Sequence, residues 1–174
     1  DGYRSHSRTS ATRLSGNFGS RPSEDLESRW FFGFSDSDSQ LPGNLTKAQL
    51  RADPRRANPG NVTLDQQRDL RLYRLANRTV YRWGDKQVEV GGFVMHRSLF
   101  HPIFQLLDVH GNDAGLFVRY RGDGRFFGFP QRWTVGFEPQ ATRQTDRRYV
   151  NLGGSAGQPS AQSRQTASNL DLYA

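Results

Sequence analysis

Apolar residues in this chain are confined to its middle, and that confinement limits the possible folds more than any other feature. They concentrate in about 62–137, whereas residues 1–22 and 151–174 carry almost nothing to bury. Polar segments of that kind cannot bury enough apolar surface to offset the entropy of ordering, and they stay disordered unless something outside the chain holds them. The expected layout is a core of roughly 75 residues, small enough to be marginal alone, with extended arms that grip neighbours. Such a chain reads as a subunit laced into a larger assembly.

Hydrophobic residues make up 34% of the 174 residues, below the roughly 45–50% of ordinary domains, a figure that also counts Gly. There is no cysteine, which excludes a disulfide framework, a thiolate metal site and a thiol nucleophile. The longest apolar stretches, such as Phe93-Val94-Met95 and Ile103-Phe104, fall far short of the ~20 residues of a spanning helix. A soluble or membrane-extrinsic protein is expected. The sequence begins at Asp1, a start that removal of a secretory leader would leave, and export is favoured on that ground. Formal net charge is +7, and among 24 basic residues only Lys47 and Lys86 are lysine. Arginine's planar fork suits carboxylates, phosphates and aromatic faces, although codon bias would produce the same excess. The arginines are scattered, with only Arg55-Arg56 and Arg147-Arg148 adjoining, unlike the patch or stripe of a nucleic-acid module.

Local patterns divide the chain into four parts: a basic arm over 1–22, an aromatic strand with a short helix and linker over 23–61, a β-rich core over 62–138, and a low-complexity tail over 139–174. Pro22 and the acids after Ser23 suggest one helical turn. Arg29 to Phe34 is aromatic enough for a strand. Thr46 caps a short helix that Pro54 stops. Thr63-x-x-Gln66 reads as a capping box opening a second helix. Thr79 to Trp83 and the alternating Gln87 to Val90 form a hairpin about Gly84-Asp85-Lys86. Leu99, Ile103, Leu106 and Leu107 keep helical spacing, so a helix is expected over 98–108 and ended by Gly111. Leu116 to Tyr120 and Arg125 to Phe129 read as a second hairpin turning at Gly122-Asp123-Gly124. Trp133 to Phe137 reads as an edge strand. The expected fold class is α+β, mostly β: a small antiparallel sheet of hairpins with one or two short helices, flanked by long arms.

No catalytic constellation stands out, and a non-enzymatic protein is expected. His6, His96, His101 and His110 lack the i, i+4 spacing of a zinc pair. Asp36 and Asp38 begin like a calcium loop but lack its glycine and its final glutamate. Neither a P-loop nor a nucleophile elbow occurs, and no cofactor or metal is expected. Arg121-Gly122-Asp123 spells an integrin-type tripeptide where the turn chemistry alone explains Gly-Asp-Gly. Asn44, Asn61 and Asn77 open glycan sequons, two of whose threonines serve as helix caps. Phe-Phe-Gly-Phe occurs at 31–34 and again at 126–129, and with the tryptophans and arginines it offers hot-spot residue types.

Asn77 to Gly84, Gln87 to Val90, Phe104 to Leu107 and Phe117 to Phe129 together resemble a β-rich segment of bacterial proteins with VIT and von Willebrand type A domains. There the pattern GxRTFYLRxGxWVD precedes a helix and a short hairpin. The resemblance covers about 72–129; Val88-Glu89 stands at the WVD-like position, and the metal-binding DxSxS motif does not occur. It implies an exported or envelope context and no chemistry.

These features lead to a non-catalytic structural subunit, extrinsic to a membrane-embedded complex such as a photosynthetic or respiratory one, on the periplasmic or exported side. Its partner contacts are expected at Tyr3, Arg4, Arg8, Arg13 and Phe18 of the first arm, at Trp30, Phe31, Phe32 and Phe34, and at Leu170, Leu172 and Tyr173. The partners would be protein subunits and lipid headgroups. The alternative is an arginine-rich nucleic-acid-binding component of a ribosome-like or capsid particle.

Overall fold

A computed structural model describes residues 2–174, apart from the side chain of Phe126. The chain forms one antiparallel sheet in which every strand lies beside its sequence neighbour. The strands are β1 (Thr9–Ser20), β2 (Leu26–Gln40), β3 (Gln67–Trp83), β4 (Lys86–Pro102), β5 (Gln105–Phe126), β6 (Phe129–Leu152) and β7 (Ser155–Tyr173). They make a curled, half-barrel-like meander. Two short helices, α1 (Lys47–Ala52) and α2 (Pro59–Thr63), lie between β2 and β3.

The mostly-β expectation holds, but the segments expected as flanking arms are strands. Residues 9–20 pair with β2 from Thr9↔Ser39 to Ser20↔Ser28. Residues 155–173 pair with β6 as far as Gly136↔Tyr173. Their ordering comes from backbone hydrogen bonding along a neighbouring strand, which needs little apolar content in the strand itself. The expected helix over 98–108 is also absent. β4 runs to Pro102, Ile103 and Phe104 turn the chain, and β5 begins at Gln105. A short apolar run does not distinguish helix from strand by spacing alone. Thr63 closes α2, which Asn58 caps through Gly60 N–H, so the second helix precedes its expected start.

Turn chemistry explains the remaining differences. Gly84-Asp85 joins β3 to β4 as expected, with φ +56° at Gly84, fitting a turn with glycine first. The next hairpin turns at Phe127-Gly128, with φ +50° and +84°, not at Gly122-Asp123-Gly124. Those three residues lie inside β5 opposite Arg132 and its neighbours, so the Arg-Gly-Asp tripeptide is within a strand. Trp133 to Phe137 lies in β6, between β5 and β7, and is not at an edge. Pro139 is accommodated because the β5–β6 ladder is interrupted between Gly115↔Gln140 and Val118↔Phe137, where a missing N–H costs nothing. α1 forms as expected, its capping box joining Thr46 and Gln49.

The two ends of the sheet differ. At one, the near end, connections are short: residues 21–25, 84–85 and 127–128. At the far end lie the turns 103–104 and 153–154 and the long connection 41–66 that carries both helices. Asn151 ties the far end together. It is 7% exposed, donates to Leu64 O at 2.8 Å and Ile103 O at 2.6 Å, and accepts from Gly154 N at 2.7 Å.

Candidate functional site

Successive residues of a strand face opposite sides, and residues paired across the ladder share a side. One face of the sheet therefore carries Phe18 of β1, Trp30, Phe32 and Phe34 of β2, Tyr73, Leu75, Tyr81 and Trp83 of β3, and Val88, Val90 and Val94 of β4. It continues through Ala114, Leu116, Val118 and Tyr120 of β5, Trp133, Val135, Phe137 and Ala141 of β6, and Leu170 and Leu172 of β7. This is an apolar band, interrupted on β2 and β3 where Ser28, Asn77 and Thr79 hydrogen-bond to one another, and it is open: Leu116 is 65% exposed, Leu172 70% and Val94 54%. An apolar patch of this extent, facing away from any core, marks a contact surface.

The band has limits along the strands. It spans nine residues on β6 (133–141) and eleven on β3 (73–83), a height of roughly 21–26 Å for strands tilted about 45°. Aromatic rings gather at both margins. Toward the near end Tyr81 stacks on Trp83 with centroids 5.4 Å apart, and Trp83 lies 6.3 Å from Tyr120. Toward the far end Phe34 and Tyr73 are 5.1 Å apart, with His96 6.4 Å beyond. Past that margin the same face turns polar. Asp36 accepts from Arg71 at 2.8 and 3.0 Å, and Asp108 meets His110 Nε2 at 2.9 Å. Asp69 also lies here with Oδ1 buried and unpartnered; burial first, then the nearby Asp38 carboxylate, raises its pKa.

The opposite face at the same height carries Phe31, Phe93 and Phe117 and, beside them, a cluster of charged side chains. Glu89, 6% exposed, accepts a forked pair of hydrogen bonds from Arg78 at 2.8 and 3.1 Å. Arg119 lies 4.0 Å from Glu89, donates to Glu138 at 3.3 Å and gives its Nε–H to the Tyr173 hydroxyl at 2.9 Å. Tyr173 completes the chain by donating to Glu138 at 2.8 Å. Side chains from β3, β4, β5, β6 and β7 thus form one polar belt behind the apolar band. Small residues make room for it. A Cβ on Gly91 would meet the Phe117 ring at 2.5 Å, and one on Gly136 the Tyr173 ring at 2.1 Å.

The residues anticipated as partner contacts divide between the two faces and the far end. Phe18, Trp30, Phe32, Phe34, Leu170 and Leu172 all lie on the apolar face. Phe31 and Arg13 lie on the other, and Tyr173 anchors the polar belt. Arg4 fastens the N-terminal segment to the long connection, donating to Pro42 O, Gly43 O and Arg56 O. Tyr3 is covered by the Arg55 guanidinium at 5.4 Å, and Arg8 pairs through its backbone with Gln40. The rest of the band and, apart from Tyr173, the belt were missed. The period-two alternation on β3, β5 and β6 carried the signal, but single tryptophans and arginines along each strand do not read as one surface until the register is known.

Two clefts indent the sheet, their linings drawn mainly from the apolar face. The larger, about 920 Å³, is lined by Phe32, Leu75, Val94, Ala114 and Ala141, with Arg143 and Thr166 also on its wall. The second, about 770 Å³, lies around Trp30, Val90, Gly92 and Leu116. Among the described residues no group of three or more His, Cys, Asp or Glu side chains could hold a metal ion, and no helix is long and apolar enough to cross a membrane.

No family model matches the sequence, and no curated protein matches it. The resemblance to VIT and von Willebrand type A proteins is therefore not sustained, and its expected helix falls on strand (β4 and β5). Among solved structures, the chain is similar to the ferric citrate transporter FecA in its unliganded form, with a TM-score of 0.73 and 17% identity. The likeness covers 96% of this chain and 26% of that one, so the chain spans about a quarter of that transporter's length. At this identity the likeness establishes the fold.

Proposed function

We propose that these seven strands are a sector of a transmembrane β-barrel, with the apolar band in lipid and the charged belt facing the interior. The observation that carries this is the two-faced register. An apolar band of roughly 21–26 Å is bounded by aromatic rings above and below, and the face behind it carries the charged belt, as expected of outer-membrane-type barrels, whose lipid-facing band is about 25 Å tall. A bilayer also explains why so much apolar surface lies open, since hydrocarbon is its solvent. The near end, with its short connections, corresponds to the periplasmic side, and the far end, with residues 41–66, to the outside. Edge strands β1 and β7 would pair with further strands, because an open edge is not tolerated in lipid. The similar solved structure, a transporter, supports a transport wall. Arg74 and Arg121, on the belt side and in no ion pair among the described residues, suit a carboxylate-bearing solute, and the neighbour's named cargo, ferric citrate, is of that class. The protein is read as non-enzymatic. An extrinsic scaffold would instead cover Trp30, Phe32 and Leu172 with a partner subunit.

Flotation of the refolded protein with lipid vesicles tests this. The protein should float with the vesicles and stay with them through alkaline and urea washes. Release by those washes would contradict membrane insertion.

A further inference from the structure

Past the far margin of the apolar band, β6 and β7 present three arginines on the lipid-facing side: Arg143, Arg147 and Arg164. The register sets Arg164 opposite Thr145, with Arg143 and Arg147 two residues to either side. Arg164 is therefore about 7–8 Å from each of the others across the diagonals. All three are exposed. Among the described residues none of them makes an ion pair, whereas Arg71, Arg78, Arg119, Arg132 and Arg148 each have a carboxylate. The acid opposite Arg147 is Asp108, and its carboxylate is engaged by His110 at 2.9 Å. Asp146, the acid nearest in sequence, lies on the other face with Arg148. Three uncompensated guanidinium groups thus stand just outside the hydrocarbon boundary.

The cluster is continuous with an apolar trough. Arg143 and Thr166 line the same cleft of about 920 Å³ whose walls include Leu75, Val94, Ala114 and Ala141, with His96 and Asn112 toward the arginines. A cationic rim opening onto an apolar trough has the chemistry of a phosphate headgroup with an acyl chain attached. Resting on the membrane placement above, we propose that Arg143, Arg147 and Arg164 hold the phosphate of one anionic lipid whose acyl chain lies in that trough. Guanidinium forks match phosphate oxygens, and a surface cation near anionic lipid contributes about a fivefold factor in affinity.

The test uses the intact protein in phosphatidylcholine nanodiscs carrying a minor share of phosphatidylglycerol. Lipid retained on the purified protein is measured by mass spectrometry, and insertion is scored separately by protease protection. Phosphatidylglycerol should be retained well beyond its share. The combined change R143Q, R147Q and R164Q should weaken that retention by on the order of a hundredfold, with insertion unchanged. A141W, which fills the trough and keeps the arginines, should also reduce it. Undiminished retention in the triple variant would overturn the site, and so would full displacement of the lipid by inorganic phosphate, which would mark a free-anion site. Absence of protease protection in the wild-type protein would overturn the membrane placement itself, and the lipid site with it.

Discussion

Leu116→Arg separates a lipid-facing band from a merely exposed one. Leu116 lies near mid-height of the band on β5, opposite Gly92, and is 65% exposed. In water, a side chain so open would change stability by no more than about 0.5 kcal/mol on substitution. At the middle of a bilayer an arginine on a barrel's lipid face costs about 2–4 kcal/mol, roughly a 30- to 900-fold change in the unfolding constant. Gln140→Arg supplies the control: Gln140 pairs with Gly115 at nearly the same height, on the belt side, where an added arginine should cost under about 1 kcal/mol. Guanidinium unfolding of vesicle-inserted protein, followed by the fluorescence of Trp30, Trp83 and Trp133, measures both. A Leu116→Arg cost below 0.5 kcal/mol, or equal costs at the two sites, would refute the assignment of the faces.

Further consequences follow from the polar parts. Removing the buried Glu89 carboxylate as Glu89→Ala leaves Arg78 without its forked partner; the loss should be about 1–3 kcal/mol by the same unfolding titration. Asp69 has a raised folded pKa, so its contribution is fully present below the unfolded carboxylate value of about 4 and is lost as pH rises through the folded value. Asp69→Asn should therefore leave stability at low pH nearly unchanged and raise it at neutral pH, as read from denaturant midpoints. Gly154→Val should cost about 1–3 kcal/mol, because φ is +89° and a Cβ there would meet Asp65 Oδ2 at 2.8 Å. Asn151→Ala removes the bonds to Leu64 O and Ile103 O, and limited proteolysis within 41–66 should accelerate.

The local chemistry of the fold was legible where a short signal suffices. Thr46 with Gln49, and Gly84 before Asp85, specify a cap and a turn within a few residues. Strand residues were legible too: Trp30 to Phe34 and Thr79 to Trp83 show strand composition, and Gln87 to Val90 alternates. What misled was the requirement that each segment bury an apolar face of its own. If a strand needs an apolar face to fold, 151–174 is a tail; if it runs well past a bilayer, β7 needs only Leu170 and Leu172 at band height and can be polar elsewhere. The helical spacing of Leu99, Ile103, Leu106 and Leu107 misled separately, since in the sheet Leu106 lies on the apolar-band side and Leu107 on the other. The belt from Arg78 to Tyr173 was not legible at all, since its members lie on five strands and meet only through the register.

The central claim is that the even-numbered residues of β5 within the band face lipid and the odd-numbered ones do not. With no native cysteine in the chain, single cysteines from Ala114 to Tyr120 can each carry a spin label in the vesicle-inserted protein. Collision with oxygen, enriched in hydrocarbon, is compared at each site with collision by a water-soluble nickel chelate. The account predicts a period of two, with high oxygen and low nickel access at Ala114, Leu116 and Val118 and the reverse trend at Gly115 and Arg119. Uniform access along the strand, or nickel access highest at Leu116 and Val118, would contradict it.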